Sequence, residues 1–270
     1  MGKLSSTVAV VGAGSMGGAI ASGLVVSGVA EPSRVMACDP SQEKLALLGE
    51  KGIQTFDDAA TMLAADPDVV VLAVKPQVLP AVVSGIADKL VDREVISIAA
   101  GVPLATLEGL LPMSRVIRVM PNLPVQVLSG ATAVCPGGRS SAEDVHVALQ
   151  IFGALGTAKV MREDQLDAEG AVVSCGPAYV ALFVDLLTRA GIENGLPASD
   201  CREMVLSTMR GVCTQLLESG EHPRVYMERV TSPGGTTAAG LRAMESQLSY
   251  SVYEAADAAL ERTRELAKGQ

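Results

Sequence analysis

The sequence predicts an α/β protein in which a doubly wound, mainly parallel sheet domain is followed by an all-α domain. Three observations carry this reading. Short β-branched runs alternate with helical patterns from Thr7 to about Val160, and those runs are apolar throughout. From about Glu163 the strand signal stops, while apolar residues keep recurring at helical spacing. Strands that are apolar on both faces are buried on both faces, so helices must cover the two sides of the sheet. The expected division is residues 1–162 and residues 163–270.

Taken in order, TVAVV (7–11) forms a strand and 15–28 a helix, then RVMAC (34–38) a strand and 41–51 a helix. DVVVLAV (68–74) is followed by a helix over 76–90, and EVISIA (94–99) by one over 103–110. RVIRVM (115–120) is a further strand, with ATAVC (131–135) and TAKVM (157–161) extending the sheet edge. Enrichment in Val and Ile over so few residues is what a pleated, packed surface selects. PGGRSS (136–141) reads as a surface turn. In the second half, helical spacing continues through Leu187 and resumes over Ser199–Leu217 and Met244–Leu266. The segment AYVALFVDLL (178–187) is apolar almost all the way round except at Asp185, which predicts packing against a second subunit; a bundle core within one chain is the other reading.

With 270 residues, 49% of them hydrophobic, the chain builds a sizeable core. A net charge of −9 without clustered Lys or Arg speaks against nucleic acid and anionic membranes as partners. The longest apolar runs, Val69–Val74 and Ala178–Val184, fall short of the roughly 20 residues that cross a bilayer, so no spanning segment is expected. MGKLSS fits a loose myristoylation pattern but reads as a lead into the first strand, and with no export signal the chain is expected in the cytoplasm. Five cysteines without a C-x-x-C pair read as reduced, mostly buried thiols, and with only His146 and His222 beside them no metal site is expected.

The first candidate site is VAVVGAGSMGGAI (8–20), with Gly12, Gly14 and Gly17 at G-x-G-x-x-G spacing between a strand and a helix. In that context each glycine has its own role, namely a tight turn at Gly12, backbone approach to a pyrophosphate at Gly14, and close helix packing at Gly17. Gly12, Ala13, Gly14, Ser15, Met16 and Gly17 would place phosphates on the helix N-terminus. The domain is therefore Rossmann-like. Asp39, about 22 residues past Gly17, sits where a carboxylate accepts both adenosine ribose hydroxyls. It would repel a 2′-phosphate, and no arginine in SQEKLA offsets it, so NADH is favoured over NADPH. AVKPQ (73–77) and IAAGV (98–102) follow two further strands at the same edge, with Lys75 placed to touch phosphate or ribose.

Reducing a ketone requires an acid/base group near the oxygen, usually Lys or His. Residues 163–270 contain only Lys268 and His222 of these, and Gly176 is followed by PAYVALF, not by the G-x-x-x-K pattern of a hydroxyacid dehydrogenase. A protonated imine makes lighter demands, because its carbon is already electrophilic. Orientation, a donor near nitrogen and an anchor for a carboxylate are enough. TSPGGTTAAG (231–240) offers these: Gly234 and Gly235 free N–H groups at a helix start, and Thr237 brings a hydroxyl.

VGAGSMGGAI, LAVKPQ, SIAAGVPLATLEGLL, RVMPNLP, CGPAYV and VTSPGGTTAAGLRAME together resemble the pyrroline-5-carboxylate reductase family over essentially the whole chain. The resemblance implies reduction of Δ1-pyrroline-5-carboxylate to L-proline by NADH or NADPH. It also implies that the substrate carboxylate rests on Gly234, Gly235, Thr236 and Thr237, with the Thr237 hydroxyl on the ring nitrogen as the catalytic contact. Ser232 would support the loop, Met120 and Pro177 would line the ring pocket, and Glu163 would lie near bound proline. The dinucleotide would meet residues 12–17, then Ala73, Val74, Lys75 and Pro76, then Ala99, Ala100 and Gly101, with Asp58 and Arg229 near it. Family members form homodimers through their helical domains and often decamers. The chain departs from the family at Leu123 (usually Thr), at Val173, Ser174 and Cys175 (VSCGPAY for SGSGPAY), and at Asp58 and Arg229 (often Asn). Cys175 reads as a small helix-packing residue. A reductase of a related cyclic imine carboxylate and a catalytically silent dinucleotide-binding regulator stay open as alternatives.

Overall fold

The computed structural model describes residues 2–267. Eight strands form one sheet in the order β3-β2-β1-β4-β5-β6-β7-β8. They are β1 Val8–Val11, β2 Val35–Cys38, β3 Gln54–Phe56, β4 Val69–Leu72, β5 Glu94–Ser97, β6 Arg115–Pro121, β7 Gly130–Pro136 and β8 Gly156–Val160. The pairs from β3 through to β6 are parallel, with Val11 flanked by Cys38 and Leu72. β7 runs antiparallel to β6 and β8 parallel to β7, which extends the edge as expected. Because β1 lies between β2 and β4, the chain changes direction of progress there, and the crevice opens at the carboxyl ends of β1 and β4.

The helices of this part are α1 Ser15–Val26, α2 Gln42–Gly49, α3 Ala59–Leu63, α4 Leu79–Ser84, α5 Leu104–Leu110 and α6 Ala142–Gly153. Period-two alternation divides the apolar strands between two cores. Val8, Val10, Val69 and Val71 pack with Ile20 and Leu24 of α1, Leu45 of α2 and Phe152 of α6. Ala9, Val11, Val70 and Leu72 pack instead with Met62 of α3, Leu79 of α4 and Leu107 of α5. Three elements escaped the sequence reading. β3 is three largely exposed residues at the sheet edge and α3 is five residues long, both too short for periodicity to register. α6 is announced by a capping box, in which Asp144 N–H donates to Ser141 Oγ at 3.1 Å and Ser141 N–H to the Asp144 carboxylate at 2.7 Å.

After β8 come α7 Glu163–Glu169, a π-helical turn Gly170–Ser174, α8 Gly176–Glu193, α9 Ala198–Ser219, α10 Pro223–Arg229 and α11 Thr236–Ala267. Two compact units result: residues up to Cys175 together with those from Ala259 onward, and Gly176–Ala258. α7 belongs to the first because Leu166 is buried in the same core as Leu104 and Leu107 of α5. Within the second, Gly191 lets α8 and α9 approach closely, since a Cβ there would meet Cys201 Sγ at 2.4 Å. By length and composition alone, the 31 residues Glu163–Glu193, helical apart from a bend at Cys175, also satisfy what a membrane crossing requires; counting uninterrupted apolar runs did not register this because Gly, Ser and Cys interrupt a run. Val180, Leu182 and Leu186 on α8 are all more than half exposed in the single chain, and Cys175 is exposed too.

Glu94 opens β5 with its side chain buried and Oε1 without a hydrogen-bond partner. Burial, followed by the nearby Asp144 carboxylate, raises its pKa from 4.5 to about 8, against the pull of Arg115. The protonated form is thus the one that suits the fold. Its stabilisation is complete below pH 4.5 and is lost as pH rises through about 8. Glu94→Gln is expected to leave stability near wild type at pH 5 and to exceed it on the order of 2–3 kcal/mol at pH 9, as thermal unfolding across that range will measure.

Candidate active site

At the carboxyl end of β1, Gly12 and Gly17 take the turn and packing roles that the spacing implies. Gly12 has φ +101°, and a Cβ there would stand 2.7 Å from Ala73 O. A Cβ on Gly17 would stand 1.9 Å from Gly12 O and 2.8 Å from Ala73 Cβ, so α1 can approach β4 only with glycine at this position. Gly14 meets nothing within 4 Å, which leaves its backbone open to a ligand. It is also the N-cap of α1, with no side chain covering the helix start. Ser15 Oγ is held by Gln126 Nε2 at 3.0 Å. The Ala13 N–H is not available to a phosphate, because it donates to Asp39 Oδ2 at 2.9 Å.

Asp39 is more committed than the sequence suggested. It is buried, its Oδ1 accepts the Ser41 N–H at 2.9 Å, and Lys44 Nζ lies 3.2 and 3.3 Å from its two oxygens. Burial pushes this carboxyl up, but the N–H groups of Ser41 and Ala13 and the Lys44 ammonium outweigh it and hold the pKa below the ordinary value. The reading that SQEKLA brings no cation to this point considered arginine alone and missed Lys44. As the third residue of α2, Lys44 is folded back over the end of β2.

Ala73 is fixed by its N–H to Val11 O at 2.8 Å, Lys75 is exposed, and Pro76 follows just before α4. Beyond β5, Ala99 is buried, Ala100 is exposed and Gly101 turns with φ +74°. Asp58 has a local role as N-cap of α3, accepting the Thr61 N–H at 2.8 Å and the Thr61 hydroxyl at 2.7 Å. Met120, the penultimate residue of β6, is half-buried. Glu163 Oε1 accepts Arg118 Nη1 at 2.9 Å and the Leu104 N–H at 2.6 Å, tying α7 to β6 and α5. The buried Arg118 was not foreseen. It lines a cavity of about 350 Å³ with Gly101, Pro103, Glu163 and Asp164, which brings an expected cofactor residue and an expected substrate residue to one place.

The second unit carries Pro177, half-buried at the start of α8, Arg229, and residues 232–237. Arg229 lies 4.9 Å from the Tyr226 ring centroid and 3.1 Å from Glu221 Oε2. In the loop, Gly234 takes φ +71° and Gly235 N–H donates to Ser232 O at 3.0 Å, so the Gly235 N–H is not free as expected. α11 begins at Thr236, and its first return bond runs from Ala239 N–H to Gly235 O at 3.2 Å. The N–H groups of Thr236, Thr237 and Ala238 consequently face out of the helix start without a protein acceptor among the described residues. The group of donors is shifted one residue along. Ser232 Oγ fills the space a Gly235 Cβ would need, at 2.4 Å, which explains glycine there by packing within the loop.

Residues 7–101 match a family model described as NADP oxidoreductase coenzyme F420-dependent, and residues 163–266 match one described as pyrroline-5-carboxylate reductase dimerisation. The pyrroline-5-carboxylate reductase of Methanosarcina acetivorans is 36% identical over 262 residues, 96% of this chain and 97% of that protein. The chain belongs to the pyrroline-5-carboxylate reductase family. The Escherichia coli enzyme is 34% identical over 268 residues, 98% of this chain and all of that one. Among solved structures, a pyrroline-5-carboxylate reductase from Coxiella burnetii superposes with TM-score 0.92 at 32% identity, covering 98% of this chain and 99% of its own. The Plasmodium falciparum reductase with NADP bound superposes with TM-score 0.86 at 28% identity, covering 98% of this chain and 100% of its own. The segment matched to the family's dimerisation model contains the exposed apolar residues of α8.

Proposed function

We propose that the protein reduces Δ1-pyrroline-5-carboxylate to L-proline with a nicotinamide dinucleotide, and that its functional form is at least a homodimer joined through residues 163–270. The observation that carries the reading is the start of α11: three N–H donors and the Thr237 hydroxyl open to a ligand, at a helix end whose dipole favours a carboxylate. The substrate carboxylate rests on the N–H groups of Thr236, Thr237 and Ala238, held in place by the Gly234 turn and by Ser232 beneath Gly235. The Thr237 hydroxyl orients the protonated ring nitrogen. We propose Met120 and Pro177 as the ring-lining residues; within the first unit, the Glu163–Arg118 pair braces the cavity beside Gly101.

The glycine loop fits a dinucleotide, since Gly14 is open and the first-turn N–H groups of α1 lack a capping side chain. When bound, the dinucleotide supplies the hydride. Gly12–Gly17, Ala73–Pro76 and Ala99–Gly101 position it, Asp39 accepts its ribose hydroxyls, and Asp58 and Arg229 complete the contacts proposed for it. An iminium carbon takes up hydride as its C=N π electrons collapse onto nitrogen, so this chain needs no general base at that carbon. We place the enzyme in the cytoplasm, in oligomers up to the decamer. Oxidation of NADH or NADPH by the purified protein in the presence of pyrroline-5-carboxylate tests the reading, and absence of turnover with both cofactors would exclude it. Leu123 is half exposed just beyond Met120, which favours a panel of larger cyclic imine carboxylates as the comparison. Dinucleotide binding with no turnover of any of them would mark the catalytically silent regulator.

A further inference from the structure

Asp39 and Lys44 form a pair that bears on the choice of dinucleotide, given the reductase reading above. A carboxylate at the end of β2 alone would repel a 2′-phosphate. Here it does not stand alone, because Lys44 Nζ lies within 3.3 Å of both oxygens. Two backbone N–H groups already hold those oxygens in place, so the carboxylate cannot swing out to follow the lysine. The lysine side chain, in contrast, is 47% exposed on a flexible four-carbon stem with three donors. It also lines a cavity of about 540 Å³ that begins at Ala13, Gly14 and Ser15 and continues between α1 and α2. Ser41, the N-cap of α2, makes no side-chain cap bond, which leaves the first-turn N–H groups of α2 uncovered beside the ammonium. A positive centre thus lies beside the residue that reads the ribose and opens onto the cavity that reaches the glycine loop.

We propose that Lys44 is the specificity-determining residue for the cofactor: it cancels the Asp39 charge and offers an ammonium to a 2′-phosphate, so the chain uses NADPH as well as NADH. Asp39 reads the two ribose hydroxyls of NADH, and Lys44 reads the phosphate that replaces one of them.

Fluorescence titration of the intact protein with NADPH and with NADH gives both dissociation constants without requiring turnover. Lys44→Met is expected to weaken NADPH about tenfold or more while NADH stays within about twofold, the scale of one lost charge-assisted contact. Lys44→Arg should keep NADPH binding within about threefold. Lys51→Met is the control, since Lys51 lies farther along the same cavity with its ammonium on Ser22 Oγ at 3.0 Å, and should change neither constant. Equal weakening of both dinucleotides by Lys44→Met would overturn the proposal, as would failure of the wild-type protein to bind NADPH. Turnover of pyrroline-5-carboxylate in the same samples tests the reductase reading separately, because binding can discriminate between the cofactors whether or not the substrate reacts.

Discussion

Gly17→Ala is expected to abolish measurable dinucleotide binding, weakening it by about a hundredfold or more. The added Cβ would stand 1.9 Å from Gly12 O, and its next neighbour would be Ala73 Cβ at 2.8 Å. Neither atom belongs to a flexible side chain. Relief therefore requires α1 to move away from the β1–β4 edge, and the first-turn N–H groups move with it. Gly14→Ala provides the contrast, because nothing lies within 4 Å of the new methyl group in the protein itself. That variant should unfold within about 2 °C of wild type yet bind the dinucleotide poorly, since the methyl group enters the space proposed for the pyrophosphate. Titration with NADH alongside thermal unfolding separates the two cases. Wild-type affinity in Gly17→Ala would remove the glycine loop from the proposed binding site.

Thr237→Ala is expected to lower kcat about a hundredfold while leaving dinucleotide affinity and thermal stability unchanged. Thr237 is the second residue of α11, exposed, and its hydroxyl makes no hydrogen bond to protein among the described residues. Removing it therefore costs the fold nothing, and any loss must appear with substrate present. The adjacent N–H groups remain, so the carboxylate still binds and the effect falls on kcat more than on KM. Thr237→Ser should restore most of the rate, because it returns the hydroxyl without the methyl group. Full activity in the alanine variant would show that the iminium is oriented by another group.

These expectations differ in how far the sequence alone could carry them. The glycine loop was legible because strand, turn and helix are consecutive, and the steric demands at Gly12 and Gly17 arise within one crossover. The start of α11 was legible for the same reason, although the donors proved to be Thr236, Thr237 and Ala238 with the Gly235 N–H turned back to Ser232. β3 and α3 were not legible, since three and five residues carry too little periodicity to register. Asp58 was read only as a cofactor neighbour, although its position three residues before Thr61 announces the cap it forms.

Pairings between distant or folded-back segments escaped altogether. Arg118 and Glu163 are 45 residues apart and meet only because α7 packs against β7, the neighbour of Arg118's strand. Lys44 is close to Asp39 in sequence, yet whether it points toward or away from the carboxylate depends on how α2 leaves the strand. Glu94 begins a strand in the sequence, and only packing removes its solvent. By itself the sequence determined the fold class, the glycine loop and the helix start after Gly235, because periodicity, turn chemistry and helix capping are properties of neighbouring residues. Tertiary structure alone decided which charges meet and which donors stay free, because desolvation and Coulomb energy depend on distances set only when segments pack.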